Sequence, residues 1–170
     1  MLKIEKEIWD KGYNYIACID EVGRGCLAGS VVACAVIMPK DLLIEGVNDS
    51  KKLTAKKRDK MFDLIMDAAV AIGIGEMDCE KLDIPLPQSN IIHGDAKCHG
   101  IAAASIIAKV TRDRQMEELD KEYPLYSFSK NKGYGTKDHV KALLKFGPIK
   151  IHRRTFLKKI LNTDEQMNFL

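Results

Sequence analysis

A chain of 170 residues, 46% hydrophobic and 30% charged, can bury one sizeable core and is too apolar to stay disordered. No apolar run reaches the length of a membrane span, and the charged start Met1-Leu2-Lys3-Ile4-Glu5-Lys6 lacks the apolar centre of a secretion signal, so one cytoplasmic domain (1–170) with no membrane contact is expected. The net charge of +3 is unevenly placed: residues 130–159 hold ten Lys/Arg against Asp138, a block of +9 on a remainder of −6, which suits a polyanion partner held beside an acidic site.

Residues 14–20 (Asn-Tyr-Ile-Ala-Cys-Ile-Asp) predict a short buried strand, and a glycine-rich turn follows from Gly23 to Gly29. Ser30 to Met38 is apolar and β-branched, a second strand that Pro39 stops. After the polar loop Asn48–Leu53, Thr54 is placed to cap a helix with Met61, Leu64, Ile65 and Ala68 on its apolar face. Ala69 to Gly75 and Ser89 to His93 read as further strands. Gly100 to about Tyr123 predicts a long helix, buried in its Ala/Ile-rich first half and solvent-facing from Arg112 to Lys121, where charges alternate. Thr136 caps a helix carrying Val140, Leu143 and Leu144, which Gly147-Pro148 ends, and a last helix is expected from Arg153 to Leu161. The pattern is α/β, with a basic, helical C-terminal part at about 124–161.

Gly23-Arg24-Gly25-Cys26-Leu27-Ala28 fits G-x-G-x-x-[GA], the dinucleotide fingerprint. That fingerprint needs a helix after the glycines to hold the pyrophosphate, whereas Val31 onward reads as strand, and Asp20 and Glu21 would repel a pyrophosphate. Adjacent carboxylates at a strand end oppose each other's ionisation, a conflict that a divalent cation with oxygen ligands relieves. Five cysteines without a C-x-x-C pair and four histidines without ligand spacing argue for reduced thiols and against zinc.

Asp20-Glu21-Val22-Gly23-Arg24-Gly25-Cys26-Leu27-Ala28-Gly29 resembles the D-E-x-G-R-G-x-L-A-G segment of the type 2 ribonuclease H (ribonuclease HII) family. Asp49-Ser50-Lys51-Lys52-Leu53, Gly94-Asp95-Ala96-Lys97, the run from Ala102 to Asp113, Lys132-Gly133-Tyr134-Gly135-Thr136, Gly147-Pro148 and His152-Arg153-Arg154 with Phe156 resemble further family segments in the same order. The resemblance implies a ribonuclease H-like mixed sheet flanked by helices. It implies a monomeric endoribonuclease of DNA replication and repair that cuts the RNA strand of RNA/DNA hybrids and ribonucleotides embedded in duplex DNA, using Mg²⁺ or Mn²⁺. Carried over, Asp20, Glu21 and Asp95 are catalytic carboxylates and metal ligands. Gly23, Arg24 and Gly25 contact the ribose 2′-hydroxyl, the group that tells RNA from DNA. Lys51 and Lys52 hold phosphates, and Tyr134 stacks on the sugar past the RNA–DNA junction. Arg112 and Asp113 read as structural charges on the long helix. The tail Gln166-Met167-Asn168-Phe169-Leu170 faintly resembles short sliding-clamp peptides.

One family segment has no counterpart. The third carboxylate of the family lies on a strand ending V-D-G-N, and no such sequence occurs here. Glu80-Lys81-Leu82-Asp83-Ile84 resembles the segment before the preceding helix, and Pro85-Leu86-Pro87-Gln88 the loop after that strand, so a helix-plus-strand step of roughly thirty residues, the size of a βα crossover, is missing between Ile84 and Pro85. Three explanations stay open: a true loss, leaving an impaired or inactive hybrid-binding homologue; a polypeptide with residues this sequence lacks; or Asp78 or Asp83 as a substitute ligand.

Overall fold

The computed structural model describes residues 1–77 and 87–161. Asp78, Asp83, the junction of Ile84 with Pro85 and the tail 166–170 lie outside the described residues. The chain divides into two compact units, Met1–Val22 with Val31–Thr111, and Gly23–Ser30 with the chain from Arg112 onward.

The first unit holds α1 (Lys3–Trp9), β1 (Ala17–Val22), β2 (Val31–Ile37), a 3-10 turn at Ser50–Lys52, α2 (Ala55–Ala68), β3 (Ala71–Met77), α3 (Gly94–Lys97) and the first half of α4 (His99–Glu122). Among the described residues the sheet has three strands in the order β1-β2-β3, both pairs antiparallel, with Asp20 opposite Cys34 and Cys34 opposite Ile74. Side chains alternate across a strand, and Val32, Cys34 and Val36 of β2 point into the core. They pack in one cluster with Met61 and Ile65 of α2 and Ala102, Ala103, Ala104, Ile106, Ile107 and Ala108 of α4. The alanines let the α4 backbone approach the sheet closely. Near its start a methyl on Gly100 would strike the Cys18 side chain.

α1 has no strong sequence signal, yet it supplies a buried acid. Glu5 Oε1 accepts hydrogen bonds from the Gly100 amide at 3.1 Å and the Cys98 thiol at 3.2 Å. A carboxylate suits the positive end of a helix, so Glu5 anchors the start of α4. Thr54 caps α2 as expected, its hydroxyl oxygen accepting from the Lys57 amide at 3.3 Å. Leu64, assigned to the apolar face, stands at the border of the Met61–Ile65 stripe and is 41% exposed. Thr54→Ala is expected to lower stability by about 1 kcal/mol, seen as a lower urea midpoint at unchanged slope.

Three sequence expectations are corrected. The strand expected at 14–20 is not a buried one: among those residues only Cys18 is buried, and Ile19 on the opposite face of β1 is 43% exposed. Residues 89–93 are not a strand: Ile92 is 77% exposed and His93 adopts a left-handed backbone (φ 57°) leading into α3. A strand needs a partner, and among the described residues the sheet ends with β1 on one side and β3 on the other. The second half of α4 is not wholly solvent-facing: Arg112 is 1% exposed and Met116 is equally buried. Ala108, Arg112 and Met116 recur every four residues, so the buried stripe of α4 runs straight through the charged segment.

The second unit holds the Gly23–Ser30 loop, the rest of α4, a 3-10 turn at Pro124–Tyr126, α5 (Phe128–Asn131), α6 (Lys137–Phe146) and α7 (Arg154–Leu161). Leu27, Ala28, Met116, Tyr126, Phe128, Leu143 and Leu157 form its core. Thr136 caps α6 by accepting from the His139 amide, and Gly147 (φ 77°) closes it. No described helix is long and apolar enough to cross a membrane.

Candidate active site

Asp20 and Glu21 are consecutive on β1, so the pleat turns them to opposite faces. Asp20 shares the inward face with Cys34 and meets Ser105 of α4, while Glu21 is exposed. An ionised carboxylate only accepts, so Ser105 donates to Asp20 and in turn accepts from Ser50, 2.8 Å away. This ordered chain, Ser50 to Ser105 to Asp20, ties the Asp49–Leu53 loop to the first carboxylate. Ser105 was not singled out from the sequence, although a hydroxyl inside the apolar run Ala102–Ala108 was a legible signal.

Burial raises the Asp20 carboxyl above its usual range; the Ser105 hydrogen bond opposes the rise, and the charges of Glu21 and Asp95 add to it. Burial and the Asp20 charge push the Cys34 thiol up to about 12. Asp95 sits in the first turn of α3, with a side chain only 15% exposed, and pairs with Lys51 at 3.5 Å. Lys52 is exposed beside it. The structure therefore sets Asp20 in electrostatic contact with both Glu21 and Asp95 and brings Lys51 to the latter. Among the described residues, no three His, Cys, Asp or Glu side chains converge closely enough to hold a metal ion. The donor chemistry fits a divalent cation; closure of the set on one point is not seen.

In the second unit, the Gly23–Ser30 loop is held by its oxygens. Arg153 donates to the carbonyls of Gly23 (2.8 Å), Arg24 (2.9 Å) and Gly29 (2.8 Å). Arg112 donates to those of Ala28 (3.0 Å) and Ser30 (3.0 Å), and to Lys132 (2.7 Å) across from them. The Leu27 carbonyl accepts from the Arg153 amide. With these acceptors turned onto the protein, the loop presents less negative potential to a phosphate or hydroxyl ligand. Arg153 is thus part of the loop's frame, where net charge alone placed it in a basic surface block.

The loop glycines differ in kind. Gly23 (φ 99°) is required internally, since a methyl there would collide with the Arg112 side chain. Gly25 has nothing within 4 Å of where a methyl would stand, so its backbone is open to approach. Gly133 accepts at its carbonyl from Leu27 at 2.8 Å, and a methyl on it would run into the Ala28 carbonyl. Tyr134 follows, 40% exposed, with its ring 5.9 Å from the Arg112 guanidinium. Arg24 is exposed at the tip of the turn. Arg112 therefore joins the Gly23–Ser30 loop to the Tyr134 loop, a role the sequence reading reduced to a structural charge.

Solved structures share this architecture and define its class. Ribonuclease H2 of Pyrococcus horikoshii superimposes with a TM-score of 0.69 at 23% identity, over 88% of this chain and 98% of that one. The chain is an α/β protein with the ribonuclease H2 fold. Its sequence is 46% identical to ribonuclease HII of Alkaliphilus oremlandii, covering 94% of this chain and 98% of the relative, and 46% identical to that of Acetivibrio thermocellus, covering 92% and 75%. The sequence model "Ribonuclease HII" matches residues 17–91 and 80–159, and the chain belongs to the ribonuclease HII family.

The same comparisons locate a gap. The alignment to the A. oremlandii protein runs over 200 positions, more than the 170 residues of this chain, so at least 30 positions have no residue here. The family model matches as two pieces that overlap between 80 and 91, which puts the break there.

Proposed function

We propose that this chain is an endoribonuclease that hydrolyses the RNA strand of RNA/DNA hybrids and cuts at ribonucleotides embedded in duplex DNA. Family membership supports the reading, and the observation that carries it is Asp20: a half-buried carboxylate, held by Ser105, whose ionisation Glu21 and Asp95 both oppose. A divalent cation, Mg²⁺ or Mn²⁺, would relieve that opposition; Asp20 and Asp95 would hold it, with Glu21, the neighbouring carboxylate on β1, as the third candidate ligand, and it would supply Lewis acidity and an activated water, alone or as one of a pair. Ser105 fixes the rotamer of Asp20. Lys51, tethered at Asp95, and Lys52 would hold backbone phosphate as point charges. In the second unit, Gly25 leaves room for a ribose, Arg24 stands beside it, and Tyr134 offers a ring for stacking on the sugar past the junction.

A second reading has its own support. With at least 30 family positions absent and β1 paired on one edge only among the described residues, the third carboxylate has no assigned source. The chain would then bind hybrids without cutting them. A duplex with one embedded ribonucleotide, incubated with Mg²⁺ or Mn²⁺, separates the two: nicked strands are expected for the nuclease, and retention of intact duplex at high protein concentration would replace it with the binding protein. Archaeoglobus fulgidus ribonuclease HII, of the same fold, was solved in a complex with PCNA. In this chain a sliding-clamp contact would fall to residues 166–170, and deleting them leaves clamp binding unchanged if the tail is only a terminus.

A further inference from the structure

The Tyr134 loop is braced from within the second unit by two buried histidines. His139 on α6 and His152 ahead of α7 meet with their Nε2 atoms 3.1 Å apart. The Ile149 amide donates to His152 Nδ1 at 3.0 Å, so that nitrogen is an acceptor and the proton of a neutral ring sits on Nε2. His152 Nε2–H then donates to His139 Nε2, which leaves the His139 proton on Nδ1. His139 Nδ1 lies 2.9 Å from the carbonyl of Tyr134, which can only accept. One pair of neutral tautomers satisfies all three contacts. Adding a proton to either ring sets two N–H groups against each other.

We propose that His152 and His139 are positioning residues: an ordered relay of neutral imidazoles that fixes the Tyr134 carbonyl and with it the ring meeting the sugar at the RNA–DNA junction. The proposal rests on the reading of Tyr134 given under Proposed function. The main chain of Tyr134 is held on both sides, since its amide donates to Asn131 O at 2.9 Å and its carbonyl also accepts from the Thr136 amide at 2.8 Å. Asn131 in turn accepts at Oδ1 from the Gly133 amide and donates to the Tyr126 carbonyl. His139 adds a side-chain bond from α6 to the Tyr134 carbonyl.

Around the pair, Phe128 lies 5.4 Å from His139 and 5.9 Å from His152, and Tyr126 lies 5.1 Å from His152. Such apolar walls strengthen the hydrogen bonds and disfavour charge. Among the described residues, the titratable groups facing each imidazole are the other imidazole and Tyr126, whose hydroxyl donates to Gly147 O. Burial lowers the pKa of both histidines, and the partner's charge helps bring His152 to about 4. The relay is therefore neutral, and intact, at physiological pH.

The two amide replacements of His139 separate the relay's halves. His139→Asn puts its amide nitrogen where Nδ1 stands and keeps the bond to Tyr134. His139→Gln puts its amide where Nε2 stands and keeps the contact with His152 only. Affinity for a duplex with one RNA–DNA junction, measured without divalent cation, should stay within about 3-fold of the parent for the Asn variant and weaken about 10-fold for Gln. In a Tyr134→Ala background the two should be equal. Equal losses with Tyr134 present would overturn the relay, whereas no effect of Tyr134→Ala alone would overturn the reading of Tyr134 and the proposal with it. Imidazole ¹⁵N shifts of the parent at neutral pH give a check that needs neither substrate nor variant. His139 protonated at Nδ1 and His152 at Nε2 are expected, and any other tautomer pair overturns the relay.

Discussion

Asp20→Asn is expected to abolish cleavage of a duplex carrying one ribonucleotide, with a loss on the order of 1,000-fold or more, the equivalent of about 4 kcal/mol in the barrier. The amide keeps the size and the contact with Ser105 but removes the charge that would hold a cation. The same substitution separates chemistry from folding. Because burial raises the folded pKa of Asp20 above its unfolded value, its contribution to stability is fully present below the unfolded carboxylate range and is lost as pH rises through the folded pKa. Above that folded pKa and without divalent cation the ionised Asp20 thus weakens the fold, and the Asn variant should melt at or above the parent temperature. A variant that melts higher but no longer cuts places Asp20 in the chemistry; cleavage at the parent rate would remove Asp20 from the site.

Much of the fold was legible because its signals are local. Val31–Ile37 is β-branched, and Thr54 and Thr136 stand where caps are needed, so β2, α2 and α6 follow from residues close in sequence. What escaped depends on partners far along the chain. Glu5 reads as a charged terminus until its contact with Gly100, 95 positions away, is known. Arg112 reads as a surface charge because its acceptors are main-chain carbonyls, which no side-chain pattern reveals. Residues 89–93 carry strand composition, but a strand is a relation between two segments, and composition does not supply a neighbour. For the site, motif order identified Asp20, Glu21 and Asp95 as candidates. The Ser50–Ser105 chain that orients Asp20 needed three dimensions, and so did the two different reasons for Gly23 and Gly25.

The histidine pair adds a pH dependence with a defined sign. Its folded pKa values lie below the unfolded one, so the stability it carries is fully present above the ordinary histidine range. It is lost as pH falls through the folded values, near 4 for His152. Two opposite effects therefore act as pH falls: protonating the histidines loosens the Tyr134 loop, whereas protonating Asp20 relieves a half-buried charge.

Arg112→Met is expected to be among the most damaging single changes to the second unit, lowering stability by about 3–5 kcal/mol. Methionine keeps an unbranched apolar stem of similar reach, so packing is not the main loss. What goes is a guanidinium whose three nitrogens reach Ser30, Ala28 and Lys132 at 3.0, 3.0 and 2.7 Å; the Ala28 bond is buried and the other two are partly buried, and a buried carbonyl left without a donor costs about 1–3 kcal/mol. Arg112→Lys should recover only part of this, because an ammonium has no planar fork to span three diverging acceptors. The consequence extends past stability. Ala28 and Ser30 belong to the loop with the open Gly25 backbone, Lys132 to the loop with Tyr134, and the ring of Tyr134 lies against the same guanidinium. Junction binding by the Lys variant should therefore fall even at temperatures where it is fully folded. Urea denaturation beside Thr54→Ala supplies the scale: an Arg112→Met midpoint no lower than that of the cap variant would show that the three carbonyls find other donors, and that Arg112 does not hold the two loops together.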